Sequence, residues 1–180
     1  MKILRNTIIG SGLSSLIRDQ ILQNAHIFCN NKTKIKQSAS FYEIDALGGN
    51  TNVWGGYINT LRHNKYLKKQ NYYKFFKKNN LFTVEKLFLN KIYHQVSFIK
   101  NIKNNNIFRI NEKNFKNKIK FIPIIKIEIL KKYIKIFGKN KIFFTKKLNI
   151  CTGNLGLIKI LYNSKLIRDS DLISFEDGNV

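Results

Sequence analysis

The chain has 180 residues, 43% of them hydrophobic, which suffices for one buried core with a small appendage and is too apolar for a disordered chain. Its 33 basic and 10 acidic residues give a net charge of +23, but only Arg5, Arg18, Arg62, Arg109 and Arg168 are arginines. The charge is therefore lysine interleaved with Asn and Ile, which fits solvated surface and AT-rich coding better than a base-reading nucleic-acid face.

A lysine field of this size still favours weak, salt-sensitive contact with polyanions. The two cysteines, Cys29 and Cys151, are far apart in sequence. They form neither a disulfide framework nor a paired zinc motif, and they point to a reducing, cytoplasmic setting. Lys2 and Arg5 precede an apolar stretch, but Gly10 and Gly12 break it and no small-residue cleavage site follows before Arg18 and Asp19. No apolar run reaches the length of a membrane span.

In chain order, "ILRNTIIGSGLSSLIRDQILQNAHIFCNN" predicts strand, tight turn, helix, strand. Thr7, Ile8 and Ile9 are β-formers ending at Gly10. Leu13, Leu16, Ile17 and Ile21 recur at helical spacing, and "AHIFC" is a short second strand. Parallel strands joined in this way imply an α/β fold with helices covering the sheet.

The junction "GSGLSS" is G-x-G-x-x-S. Gly10 permits the turn, Gly12 leaves room for a pyrophosphate against the backbone, and the small Ser15 lets the helix pack close to the strand. The first helical N–H groups, from Leu13 and Ser14 onward, then face the phosphates. These residues are candidate cofactor contacts; the alternative is a glycine turn without a ligand. The end of the second strand reads Cys29, Asn30, Asn31, so the usual carboxylate for ribose hydroxyls is absent there.

Residues 40–60 hold a second glycine-rich loop. Within 61–120, "YLKKQNYYKFFKKNNLF" places Tyr66, Tyr73 and Phe76 at helical spacing. "TVEKLFLNKIYHQVSFIKNI" reads as a helix capped by Thr83, with Leu87, Ile92 and Val96 broadly on one side. Residues 101–120 read as loop or irregular strand. From 121 onward strands return: Tyr133, Lys135 and Phe137 alternate, "GKN" turns, and "KIFFTKKLNIC" follows. "GNLGLIKILYNSKLI" is a helix with Leu157, Ile160 and Leu161 on one face. The acidic tail from Asp169 lacks the glycine and glutamate of a calcium-binding EF-hand loop.

The loop "GGNTNVWGG", 48–56, resembles the Gly-Gly-x-Ser/Thr-x-x-Trp-Gly-Gly loop of the glucose–methanol–choline family of FAD-dependent oxidoreductases, and it follows the first βαβ unit as it does there. "LNICTGNLGLIKILYNSKLI", 148–167, is similar to a later family segment in which a strand ends in a small-residue turn before a helix. The resemblance implies FAD as cofactor, with Gly48, Gly49, Asn50, Thr51, Asn52 and Trp54 against it and Thr152 and Gly153 at a second close approach. For Trp54 a core position is the competing reading, and for "CTGN" a plain turn. The implied architecture is a Rossmann-like FAD/NAD(P)-binding domain with a partly parallel sheet. It divides into a βαβ unit with glycine loop (1–60), a small irregular Lys-rich helical insertion (61–120) and a return of the FAD-binding domain (121–180).

The implied reaction is oxidation of an alcohol carbon of a small polyol or sugar, with hydride passing to the flavin and a histidine taking the proton. That histidine lies near the end of family chains about three times as long, so this chain is expected to be incomplete as a catalyst unless a C-terminal half or partner chain supplies it. His26 and His94 read as structural or surface residues, and His63, just after the glycine loop, as a surface residue with a place near the cofactor as the alternative, leaving the catalytic residues unassigned. The alternatives are a non-catalytic remnant of such a flavoprotein and a Lys-rich polyanion-binding protein.

Overall fold

A computed structural model describes residues 2–32, 46–49, 57–59, 83–89, 92–98 and 108–172. Its main body is a six-stranded sheet whose strands run, edge to edge, Ile119–Phe121, Ala25–Cys29, Ile3–Ile9, Ile142–Ile150, Ile134–Gly138 and Ile124–Ile129. β1 (Ile3–Ile9) runs into helix α1 (Leu13–Ile21) and then β2 (Ala25–Cys29). β2 pairs in parallel with β1 and with β6 (Ile119–Phe121). β7 (Ile124–Ile129), β8 (Ile134–Gly138) and β9 (Ile142–Ile150) form an antiparallel meander, and β9 lies parallel to β1. Helix α2 (Gly153–Asn163) follows β9, and a short α3 (Asp169–Leu172) follows α2. The fold is thus α/β with a mixed, mostly parallel sheet, as the βαβ reading predicted.

The central strands are buried on both faces. Ile8, Ala25, Ile27 and Cys29 pack with Leu16 of α1 and with Phe108, Ile110 and Phe115. Ile9 and Phe28 pack with Ile124, Ile127, Ile136 and Ile160 of α2. Successive strand residues point to opposite faces, so α1 and α2 cover opposite sides of the sheet. The chain therefore leaves the parallel neighbours β1 and β9 toward opposite faces, which makes their carboxyl ends a topological switch point.

One buried charge fastens the 108–118 segment to α1. Asp19 is fully buried, and its carboxylate accepts hydrogen bonds from the Lys116 backbone N–H and, at 2.6 Å, from Asn117 Nδ2. At the other side of the sheet, Ser164 Oγ accepts from the Ile127 N–H at 2.8 Å and Asn163 Nδ2 donates to the Ile125 carbonyl at 3.2 Å. The end of α2 thereby caps polar groups of edge strand β7, which otherwise invite pairing with another chain.

The expected helical insertion is corrected in part. β4 (Thr83–Leu89) and β5 (Ile92–Phe98) pair antiparallel from Thr83↔Phe98 to Leu89↔Ile92, and β3 (Tyr57–Asn59) adds to β5. The stretch read as a helix, including His94, is a hairpin. Its β-branched and aromatic residues satisfy strand preference across a two-residue connection, and Leu87, Ile92 and Val96 mimic helical spacing only loosely. The aromatic–lysine stretch 66–82 and His63 lie outside the described residues. No helix among the described residues is long and apolar enough to cross a membrane.

Candidate functional site

Three segments distant in sequence meet at the switch point. The turn after β1, residues 46–49 and the turn between β9 and α2 line one cleft of about 640 Å³, together with Cys29, Asn30 and Asn31 at the end of β2. The volume lies within the roughly 300–1,000 Å³ usual for small-molecule and cofactor sites.

Local physics places each piece. Gly10 has φ +110°, and a Cβ there would stand 2.1 Å from the Cys151 carbonyl oxygen, so only glycine lets β9 pass so close. The Cys151 N–H donates to Ile9 O at 2.7 Å and closes the β1–β9 ladder at the cleft edge. Ser15 is fully buried, its hydroxyl reaching Cys151 O at 3.5 Å. A small residue is therefore required at this position, as the glycine motif predicts. Residues 46–49 are tied in by Gly48 N–H to Ser11 O at 3.1 Å and Leu47 N–H to Asn31 O at 2.9 Å. Ser11 Oγ lies 2.8 Å from Cys29 Sγ, and the Cys29 thiol donates to Asn31 O at 3.1 Å. This small buried network joins the first turn to the end of β2.

Gly12 differs from Gly10. Its φ is −81°, and the nearest atom to a Cβ there is Gly48 O at 3.8 Å. Steric conflict within the protein does not require glycine at this position, and the space over it opens into the cleft. Neither α1 nor α2 has a side-chain hydrogen bond at its N-cap or an acidic residue in its first turn. Two helix starts, each a partial positive charge with N–H groups to offer, open on the same cleft. No Asp, Glu or His is among the described lining residues, and Lys159 is their only charged side chain. The walls farther along α2 are apolar, from Pro123, Ile124, Ile125, Leu155 and Ile160.

Of the sequence-predicted contacts, Gly10, Gly12, Leu13, Ser14, Gly48, Gly49, Thr152 and Gly153 line the cleft, and Ser15 packs behind it. Asn50, Thr51, Asn52 and Trp54 lie outside the described residues. Sequence reasoning missed Lys159, Asn163 and the Pro123–Ile125 wall, since none carries a motif. It also missed Gly156, where a Cβ would stand 2.7 Å from Thr152 Cβ; a mid-helix glycine was the available signal.

Both cysteines line the cleft, but Cys29 ends β2 and Cys151 directly follows β9, on either side of β1. Two strand spacings separate them by about 9–10 Å, beyond disulfide reach. Burial pushes the Cys151 thiol above its usual range, only partly offset by the Ser15 hydrogen bond and by Arg18. His26 lies elsewhere on the sheet, 3.3 Å from Lys120 Nζ. Burial first, then Lys120 and Lys2, hold its pKa below the ordinary value.

No protein-family model matches the chain, and no curated protein is similar to it by sequence.

Proposed function

We propose that this cleft binds FAD through its diphosphate, and that the chain is the flavin-binding part of an FAD-dependent oxidoreductase of the glucose–methanol–choline type. One observation carries the reading. The glycine turn, the 46–49 loop and the β9–α2 turn, three segments in the order of that family's motifs, converge on a cleft with no carboxylate among its described lining residues, where two helices start without side-chain caps. Such a site favours a diphosphate over a neutral or cationic ligand. The apolar wall beyond it suits a planar ring.

Bound FAD would supply the hydride acceptor, and the donor fitting this reading is an alcohol carbon of a small polyol or sugar. The chain's own groups divide the binding. Backbone N–H groups at Gly12–Ser14 and Gly153 meet the phosphates, and Gly12 admits them to the backbone. Asn30 and Asn31 offer the ribose neutral partners in place of a carboxylate, which weakens the grip on the adenosine half. No base for the alcohol proton is among the described lining residues. Under this reading it comes from the rest of the chain or from another polypeptide.

Titrating the purified chain with FAD and with riboflavin, by flavin fluorescence, tests the proposal. FAD binding with little or no riboflavin binding is expected, because the phosphates carry recognition. Equal binding of the two, or none, contradicts it.

A further inference from the structure

The cleft is polar at one end and apolar at the other, and Lys159 marks the apolar side. It stands on α2, six residues after Gly153, so about 9 Å along the helix axis from the first turn. It is the only charged side chain among the described lining residues. The two ion pairs among the described residues, Lys32–Glu112 and Lys135–Glu128, do not involve it. The α2 wall therefore offers two positive features in line: N–H groups at its start and an ammonium beside apolar side chains. A ligand matching both has a diphosphate and, roughly one nanometre away, a ring that bears negative charge.

We infer that Lys159 is the counter-charge for the cofactor ring in its reduced, anionic form; the inference rests on the FAD reading. Two electrons and one proton added to the neutral ring leave one negative charge on it. Lys159 favours that form over the oxidised one and so raises the midpoint potential. The oxidised ring, being neutral, gains little from the ammonium.

The test compares wild type, Lys159→Met and Lys159→Arg by FAD titration and by the midpoint potential measured in dithionite reduction against a reference dye. Met and Arg are both good helix formers at an exposed position. Oxidised FAD is expected to bind all three within about threefold. Reduced FAD is expected to bind Lys159→Met about tenfold more weakly, which for a two-electron couple lowers the potential by about 30 mV. Lys159→Arg should keep the wild-type potential. Unchanged potential in a Lys159→Met protein that still binds FAD overturns this inference and leaves the FAD reading standing. Absence of FAD binding by the wild type removes both.

Discussion

Gly10 and Gly12 sit two residues apart in one turn and differ in why glycine is needed. At Gly10 a methyl group meets the Cys151 carbonyl at 2.1 Å while φ is +110°. The strained φ alone costs about 1–3 kcal/mol. Moving the β9 end away also weakens the Cys151–Ile9 hydrogen bond, worth about 0.5–1.5 kcal/mol. Gly10→Ala is therefore expected to lose about 2–4 kcal/mol. At Gly12 the backbone is extended and the nearest atom is 3.8 Å away. Alanine is the poorer N-cap by about 0.5–1 kcal/mol, but it restricts the unfolded chain by a similar 0.4–1 kcal/mol. Gly12→Ala should thus unfold within about 0.5 kcal/mol of wild type in urea, read by circular dichroism and linear extrapolation. Its FAD affinity should fall about tenfold or more, equivalent to at least about 1.4 kcal/mol, because the methyl occupies the approach a phosphate needs. A folded Gly12→Ala protein with wild-type FAD affinity refutes the placement of a phosphate over this turn. A Gly10→Ala protein with unchanged urea midpoint refutes the Gly10–Cys151 contact.

Asp19→Ala removes a buried acceptor shared by two donors and should cost about 2–5 kcal/mol in urea unfolding. Asn117→Ala, losing one of those bonds from the more exposed side, should cost less, and a double-mutant cycle should show coupling between the two. Ser164→Ala together with Asn163→Ala uncaps β7 and should raise aggregation on heating, followed by light scattering, more than it lowers the urea midpoint. His26 has its folded pKa below the unfolded value of about 6.5. Its neutral form is favoured by the fold, so its contribution is complete above that pH and is lost as pH falls through the lowered value. His26→Gln should flatten stability against pH in that acidic window. Cys151, partly buried with its thiol pushed up, and Cys29, buried, should react slowly with a thiol reagent at neutral pH in the native protein and rapidly in urea.

The first βαβ unit was legible because its signals agree: β-branched residues, two glycines at a junction, then apolar residues at helical spacing. The β8–β9 hairpin and α2 were legible for the same reason, with the turn at Gly138–Asn140 closed by Gly138 N–H to Lys141 O at 2.8 Å. The β4–β5 hairpin was not. Its connection, Asn90–Lys91, lacks the glycine that usually marks a two-residue turn, and its apolar spacing is compatible with either period. The glycine motifs could be named from the sequence, but not their convergence, which depends on β9 inserting beside β1 across some 140 residues. Asp19 reads as an ordinary helix-surface acid until the 116–117 backbone is seen against it. Lys159 is one lysine among many in the sequence; its position beside the cleft is set by α2 packing on β7.

The central claim is that these small-residue turns form a cofactor site. Size-exclusion chromatography of the full chain after incubation with FAD, monitored for protein and flavin absorbance together, tests it most directly. Flavin absorbance travelling with the protein peak, and diminished in Gly12→Ala, is the predicted result. A folded protein that elutes colourless from excess FAD would contradict the account and leave the glycine turns as structure alone.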